Sequence, residues 1–403
     1  MQKGNALERD PRHYPDFEFN LRELAGSLGD FGTLFPLAIG LIAVNRLDPT
    51  SLFVMIGLTN IATGLIYRLP MPVEPKKVVS VAAIAQGWSA SMVAASGLGL
   101  GLTWFVLAFT GVLRKLVQIT PVYLIRGIQL ALAITLGWQA LRMMAPEPWF
   151  GALAIGIILL LRKSRYAPAA LVIMTLGVGI MAWRGDLAHN LTFDISLPRF
   201  SVPTLSDVWQ SMVLAGFAQV PLTLTNAVLA TATMIRDLFP DKPVSEDRLM
   251  VNMGVMNIAS AFFGGMPMCH GSGGLAGQYY FGARTGGTNI LEGLIEISLG
   301  VFLGRSLLGI LIAFPMPLVG GMMLMVGIQM AQPTVKLRRW PLYLALFTAG
   351  LSIATNMAIG FVAGLVVTHA LRWMARRGWL RGMGLEELEP QPAPSNPAPD
   401  ARC

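Results

Sequence analysis

Charge is what this sequence has least of. Only 13% of its 403 residues are Asp, Glu, Lys or Arg, against about 25% in an average soluble domain. With 54% hydrophobic residues and a mean hydropathy of +0.59, too little polar surface remains to keep a chain of this length in water. That excludes a soluble enzyme, a disordered protein and a nucleic-acid-binding domain, despite a net charge of +8 and an isoelectric point near 9.8. Cysteine is scarce as well. Cys269 and Cys403 lie far apart and offer no disulfide framework. Cys269-His270 has no further Cys or His nearby, so no metal site is expected. No nucleophile–base constellation, phosphate loop or haem motif appears, and neither catalysis nor a cofactor is expected. Residues 1–20 are polar, with Arg9, Asp10, Arg12, Asp16 and Glu18, so no secretory signal is expected.

What the sequence does have is long apolar runs. About 20 such residues cross a hydrocarbon core as a helix. Fourteen windows stand out, some of them shorter than that. The first seven are 24–44, 51–67, 71–86, 92–113, 122–141, 148–161 and 168–183. The second seven are 207–231, 250–263, 266–282, 288–303, 306–329, 341–356 and 358–375. The fold class read from this is an all-α polytopic membrane protein in the lipid bilayer. An even count places both termini on one side, and Lys and Arg in the loops decide which. With both termini cytoplasmic, inside regions hold 23 of the 30 basic residues and outside regions hold five: Arg46, Arg142, Arg184, Arg199 and Arg305. A missed helix would flip every later loop and erase that asymmetry. Residues 1–20 then form a cytoplasmic N-terminal tail. Residues 378–403, rich in Pro and Glu, cannot bury a core and are expected to be a disordered cytoplasmic tail. No soluble domain is expected at either end.

The two halves echo each other, as transporter repeats do. Leu24-Ala25-Gly26 opens the first and Leu214-Ala215-Gly216 the second; Met71-Pro72-Val73 in one answers Met266-Pro267-Met268 in the other. Seven spans per half, an odd number, make the repeats inverted. Spans 3 and 10 are irregular. Pro70, Pro72 and Pro75 forbid helix in the first, which can become helical only near Pro75. Gly264-Gly265-Met266-Pro267 does the same before His270-Gly271-Ser272-Gly273-Gly274. Each span therefore reads as an extended stretch followed by a half-helix. Irregular backbone at membrane depth is tolerated only inside protein or against a cavity. The two half-helices enter from opposite sides, so their N-termini meet near the midplane.

Each helix N-terminus carries about half a positive charge and free N–H donors. Two of them facing each other suit an anion. Gly271, Gly273 and Gly274 let backbone approach a ligand, and Ser272 adds a hydroxyl. Lys76 and Lys77 are about 100° apart on the first half-helix, so only one of them points inward. Each lysine has a rival reading, snorkelling or a buried pair with Glu74; the glycines have close helix packing. Asp30, Thr33, Gln219, Thr223, Thr225, Asn226, His270, Glu292 and Glu296 are further polar residues at membrane depth, and buried ionisable groups are functional candidates. Asp30 could equally orient its helix, and Gln219 and Asn226 could be interhelical glue. The candidate substrate contacts are Gly32, Thr33, Pro75, Lys77, Gln219, Asn226, His270 and Gly271 to Gly274. The candidate coupling groups are Asp30, Glu74 and His270.

Four stretches carry a resemblance. They are Gly29-Asp30-Phe31-Gly32-Thr33, Pro70-Met71-Pro72-Val73-Glu74-Pro75-Lys76-Lys77, Gln219-Val220-Pro221-Leu222-Thr223-Leu224-Thr225-Asn226, and the run from Pro267 to Gly287. In this order they resemble the molybdate transporter family, which is related to sulfate permeases but lacks their cytosolic regulatory domain. The resemblance implies a uracil-permease-like fold. Residues 21–113 and 205–304 would be the two halves of a core domain, 114–185 and 305–377 those of a gate domain. It implies a secondary transporter in the inner membrane importing molybdate by alternating access. Tungstate and sulfate are tetrahedral dianions of the same kind. A sulfate transporter is the runner-up; an anion channel and a membrane-embedded enzyme are more distant readings. The coupling ion stays open, with a proton as the candidate. Oligomeric state stays open too, although related folds often form homodimers through the gate domain. The family more often shows Gln and Met where this chain has Glu74 and Lys76, whereas Lys77 matches it.

The charge asymmetry has a direct check. In intact cells an impermeant thiol reagent should label a single cysteine placed at position 186 and spare one placed at position 163. The reverse pattern would overturn the orientation.

Overall fold

The computed structural model describes residues 14–29, 31–111, 119–161, 169–186 and 195–377. Asp30, the basic loop residues Arg114, Lys115, Arg162, Lys163 and Arg165, most of the N-terminal tail and the whole of 378–403 lie outside the described residues. The rest is almost entirely helical. In chain order come α1 (Leu21–Ser27), α2 (Phe31–Asn45), α3 (Pro49–Tyr67), β1 (Glu74–Pro75), α4 (Lys77–Gln86) and α5 (Ala90–Thr110). Then come α6 (Val122–Met144), α7 (Pro148–Leu161), α8 (Ala169–Arg184), α9 (Leu205–Leu238) and α10 (Glu246–Phe262). The remainder is β2 (Met268–Cys269), α11 (Ser272–Phe281), α12 (Gly287–Ala313), α13 (Met316–Val335), α14 (Arg339–Ala354) and α15 (Met357–Arg376). Among the described residues seven helices are long and apolar enough to cross a membrane: α3, α5, α6, α9, α13, α15 and the Gly287–Gly304 part of α12.

Local chemistry sets the ends. The Asp48 carboxylate accepts from Ser51 N–H at the start of α3, where Pro49 suits the first turn. Ser89, Ser245 and Asn356 cap α5, α10 and α15 in the same way. Within α9, Pro221 cannot donate a main-chain hydrogen bond, and the helix widens into π turns at Met212–Gly216 and Leu224–Ala230.

A helix occupies each window read from the sequence, with two differences. The first window is broken between α1 and α2. A loop expected between 303 and 306 is instead continuous helix, because α12 runs through Arg305 to Ala313. Arg305 suggested a loop, but no helix breaker accompanies it; the break comes where Pro315 starts α13.

Small residues decide which helices lie close. Between α3 and α12, a Cβ on Gly57 would fall 2.7 Å from Gly293 O. Between α5 and α10, one on Gly101 would fall 2.9 Å from Gly254 O. Between α6 and α13, one on Gly320 would fall 2.7 Å from Ala140 O, and between α6 and α14, one on Gly127 would fall 2.6 Å from Ala345 O. Lipid tails are as apolar as Leu, so helices associate there through close backbone packing of this kind. On the polar side, the N-terminal segment is tied down by ions. Asp16 binds Lys242 at 2.9 Å and Arg68 at 2.9 Å, and the hydrogen bond from Lys242 holds its carboxyl below the usual range.

Gly57→Val should therefore lower stability by about 1–3 kcal/mol through overpacking. Gly350→Ala, with nothing within 4 Å of its Cβ position, should not. Thermal unfolding of the two purified variants in one detergent checks this, and equal melting temperatures would contradict the packing assignment.

Candidate functional site

The site is built on the two proline-broken stretches. Neither Pro70-Met71-Pro72 nor Met266-Pro267 can be helix, so their backbone groups need partners elsewhere. Part of the answer is a two-stranded antiparallel pairing, Glu74 opposite Cys269 and Pro75 opposite Met268. Lys76 N–H extends it by donating to Pro267 O at 2.9 Å. Two buried asparagines complete it. Asn289 on α12 accepts from Met71 N–H at 2.8 Å and donates to Met71 O at 2.6 Å. Asn257 on α10 does the same to Met268, at 2.9 Å and 2.7 Å. Each amide side chain satisfies one residue's donor and acceptor as a neighbouring strand would. Behind Asn289, Asn60 on α3 accepts from it at 2.9 Å and donates to Glu296 at 2.8 Å. Gln278 donates to Glu292 at 3.0 Å. These two carboxyls, candidates at membrane depth, thus sit in a helix-joining network.

His270 occupies the crossing point. It is fully buried, with Nδ1 3.1 Å from Pro72 O and Nε2 3.1 Å from the Asn252 amide. A carbonyl only accepts, so Nδ1 carries the proton and Nε2 accepts from Asn252 Nδ2. Both nitrogens are engaged inside the protein. The expectation that His270 offers one to a ligand or a moving proton is corrected accordingly: the ring ties the first motif to the second.

From the ends of the paired strands run α4 and α11, ten residues each, about 15 Å long. Their N-termini differ. At α4, Gln219 from α9 places Oε1 2.8 Å from Val78 N and 3.4 Å from Val79 N, while its Nε2 donates to Thr223 at 2.7 Å. Both ends of that amide are spent within the protein. Sequence reasoning expected two helix ends free to meet a ligand; one of them is capped.

At α11 the capping position is Gly271, which has no side chain to cap with, and no side chain is seen capping it among the described residues. A Cβ on Gly273 would meet nothing within 4 Å, so this face of the first turn is open. Ser272 Oγ donates to Asn226 Oδ1 at 2.8 Å, which brings the second π turn of α9 to the same place. Lys77 is a quarter exposed and lies 3.2 Å from Glu74 Oε2. Lys76, in contrast, is fully buried, with Nζ 5.1 Å from the Trp104 ring centre and no hydrogen-bond partner. The structure therefore brings Glu74, Lys77, Asn226 and Gly271 to Gly274 together, with Pro75 buried in β1 and Gln219 behind α4. Gly32 and Thr33 lie in the first turn of α2, a helix that packs on β1 and α4.

An open helix N-terminus beside an ammonium favours a ligand with negative charge and several acceptor oxygens. Asn257, Asn289 and Trp104 were not singled out from the sequence. The signal for the two asparagines was there: an amide inside an apolar window is costly unless it has a fixed partner.

Known proteins resemble the chain in sequence and fold. Residues 22–136 and 211–330 match a family model described as "Molybdate transporter of MFS superfamily". Molybdate transporter 1 of Arabidopsis thaliana is 31% identical over 90% of each chain. Molybdate transporter 1 of Chlamydomonas reinhardtii is 29% identical over 87% of this chain and 91% of its own. Among solved structures, the transmembrane domain of the cyanobacterial bicarbonate transporter BicA superposes with a TM-score of 0.63 at 17% identity, covering 85% of this chain and 97% of that one. The murine Slc26a9 anion transporter in its inward-facing state gives 0.65 at 13%, covering 90% and 70%. Likeness at such identities speaks for the fold alone, and that fold is the one these two transporters share.

Gln219→Leu should leave the Val78 N–H without its acceptor and destabilise the protein by about 1–3 kcal/mol. Gln219→Glu, which keeps the acceptor, should lose less. Melting temperatures of the two variants decide it, and an unchanged Gln219→Leu protein would refute the capping role.

Proposed function

The chain belongs to the molybdate transporter family, and from that premise we propose that it is a secondary transporter importing molybdate by alternating access. The observation that carries the reading is the uncapped N-terminus of α11, open at Gly273 and flanked by Lys77 and the Ser272–Asn226 pair. Backbone N–H groups of the first turn and the Lys77 ammonium bind the oxyanion. Tungstate and sulfate present the same four oxygens and double charge, so this cradle takes them as competitors.

The finer architecture belongs to the same proposal. The chain forms seven-plus-seven inverted repeats in the cytoplasmic membrane, both termini inside, with α4 and α11 crossing only part of it. The short length of those helices and the antiparallel β1–β2 pairing support this. A core body of α1–α5 and α9–α12 moves against a gate body of α6–α8 and α13–α15. Close packing of α3 on α12 and α5 on α10, and separately of α6 on α13 and α14, supports that division. A co-transported proton offsets the second charge of the dianion, because one helix end and one lysine supply about 1.5 positive charges at most. Transport, with no covalent chemistry on the anion, is the whole reaction.

The test is uptake into proteoliposomes of molybdate, tungstate and sulfate, with and without an inward proton gradient. Molybdate should accumulate, more so with the gradient. Gly273→Val, which puts a branched side chain on the open face, should abolish binding. Lys77→Met should weaken it by about 1–3 kcal/mol, and Ser272→Ala by about 0.5–1.5 kcal/mol. Unchanged molybdate affinity in a well-folded Gly273→Val protein would remove the site from α11.

A further inference from the structure

Glu74 is a carboxylate where an anion site should least want one. It is 1% exposed, and it lies along the first turn of α11. A Cβ on Gly271 would fall 2.8 Å from its Oε2, and one on Gly274 would overlap its Oε1. Only glycine at those two positions admits the carboxylate there. Its Oε2 pairs with Lys77 at 3.2 Å, while its Oε1 is buried with no hydrogen-bond partner among the described residues. A buried carboxylate with half its acceptors unmet is poorly held, because the lost hydration is not replaced.

We propose that Glu74 is the resident anion of this site, a tethered competitor that lies against the first turn of α11 and holds Lys77 until an oxyanion displaces it. This rests on the oxyanion site proposed above. The exchange leaves Glu74 without its cation in a buried place, so it takes up one proton from water: the carboxylate becomes a carboxylic acid as Lys77 passes to the oxyanion. Binding of the dianion is thereby linked to binding of a proton.

Among the described residues the groups nearest Glu74 are these. Lys77 is the ionisable residue of α4. Across the strand pairing lies Cys269, which interacts electrostatically with Glu74, Lys76 and Lys77. Lys76 stands over Trp104 on the far side, and His270 is locked between Pro72 and Asn252. Between Phe31 and Asn45, α2 has no ionisable side chain. On α11 the ionisable side chains are Tyr279 and Tyr280, toward its far end, and α9 contributes the uncharged Gln219 and Asn226. The ionisable residues of α10, packed on β2, are confined to its first turn, Glu246 to Arg248.

The experiment is calorimetric titration of the full-length protein with molybdate, and again with tungstate, in buffers of different ionisation heat. The wild type should take up about one proton per oxyanion, its affinity rising by up to about tenfold per pH unit as the pH falls. Glu74→Gln keeps the shape and removes the charge. It should bind more tightly at neutral pH, by about 5- to 150-fold, the usual span of coupling between two sites, and lose the pH dependence. Weaker binding in Glu74→Gln, or wild-type binding without proton uptake, overturns the competitor role. The wild-type measurement stands even if the variant does not fold. Gly273→Val in the same assay separates the two claims. If it abolishes binding while Glu74→Gln weakens it, the oxyanion site holds and the competitor fails; if it leaves binding intact, both fail.

Discussion

Everything in this structure answers to one constraint: main chain that cannot be helical has to find its hydrogen bonds without water. Pro70, Pro72, Pro75 and Pro267 strip two apolar segments of helical bonding, and an unmet N–H or C=O in such surroundings costs several kcal/mol. The molecule meets the debt from three sources. The segments pair with each other as β1 and β2; Asn289 and Asn257 close on Met71 and Met268; and His270 ties Pro72 to the second motif. Once those bonds are made, the starts of α4 and α11 have nowhere else to be. The site is a consequence of the repair.

The repair is also asymmetric, and the asymmetry shapes the chemistry. An oxyanion held between two equivalent helix ends would owe its position to symmetry. Here Gln219 spends its amide on the end of α4, and the donors left for a ligand are those of α11. Lys77, on the capped helix, reaches toward the uncapped one through Glu74. Lys77 and the open helix start thus come from different halves of the chain.

The fold was largely legible from the sequence because its signals are local. Apolar windows, caps such as Asp48 and Ser89, and the prolines before α4 and α11 each act within a few residues. The helix end at Gly304–Ser306 was misplaced for the same reason: a charge was read as a loop, whereas only a proline such as Pro315 forces the break. For the candidate site, which residues lie near one another was more legible than what each of them does. Gly271 to Gly274, Lys77 and Asn226 were named from motif and spacing, and they do assemble. Their neighbours' duties were not readable. Nothing in the spacing of Gln219 says that it caps a helix about 140 residues away in sequence, and nothing local says that His270 has both nitrogens engaged. Long-range partners decide between a ligand contact and a structural bond, and one sequence does not contain them.

The two charged departures in the third-span motif take on a joint meaning in three dimensions. Glu74 brings a negative charge against α11, and Lys76 brings a positive charge that is fully buried over Trp104 with no hydrogen-bond partner. Glu74 is paired with Lys77, whereas a buried charge on Lys76 would be costly taken singly. Taken together, Glu74 and Lys76 leave the net charge of the motif as it is with Gln and Met, while moving its negative end to the ligand side and its positive end to the rear. Such a pair changes the field along the site without changing its sum. On the proposed reading, a dianion arriving at α11 meets a carboxylate it must displace, with Lys76 behind it. On that reading, the cost of entry falls on a proton, and the transporter's rest state is the one in which it holds its own anion.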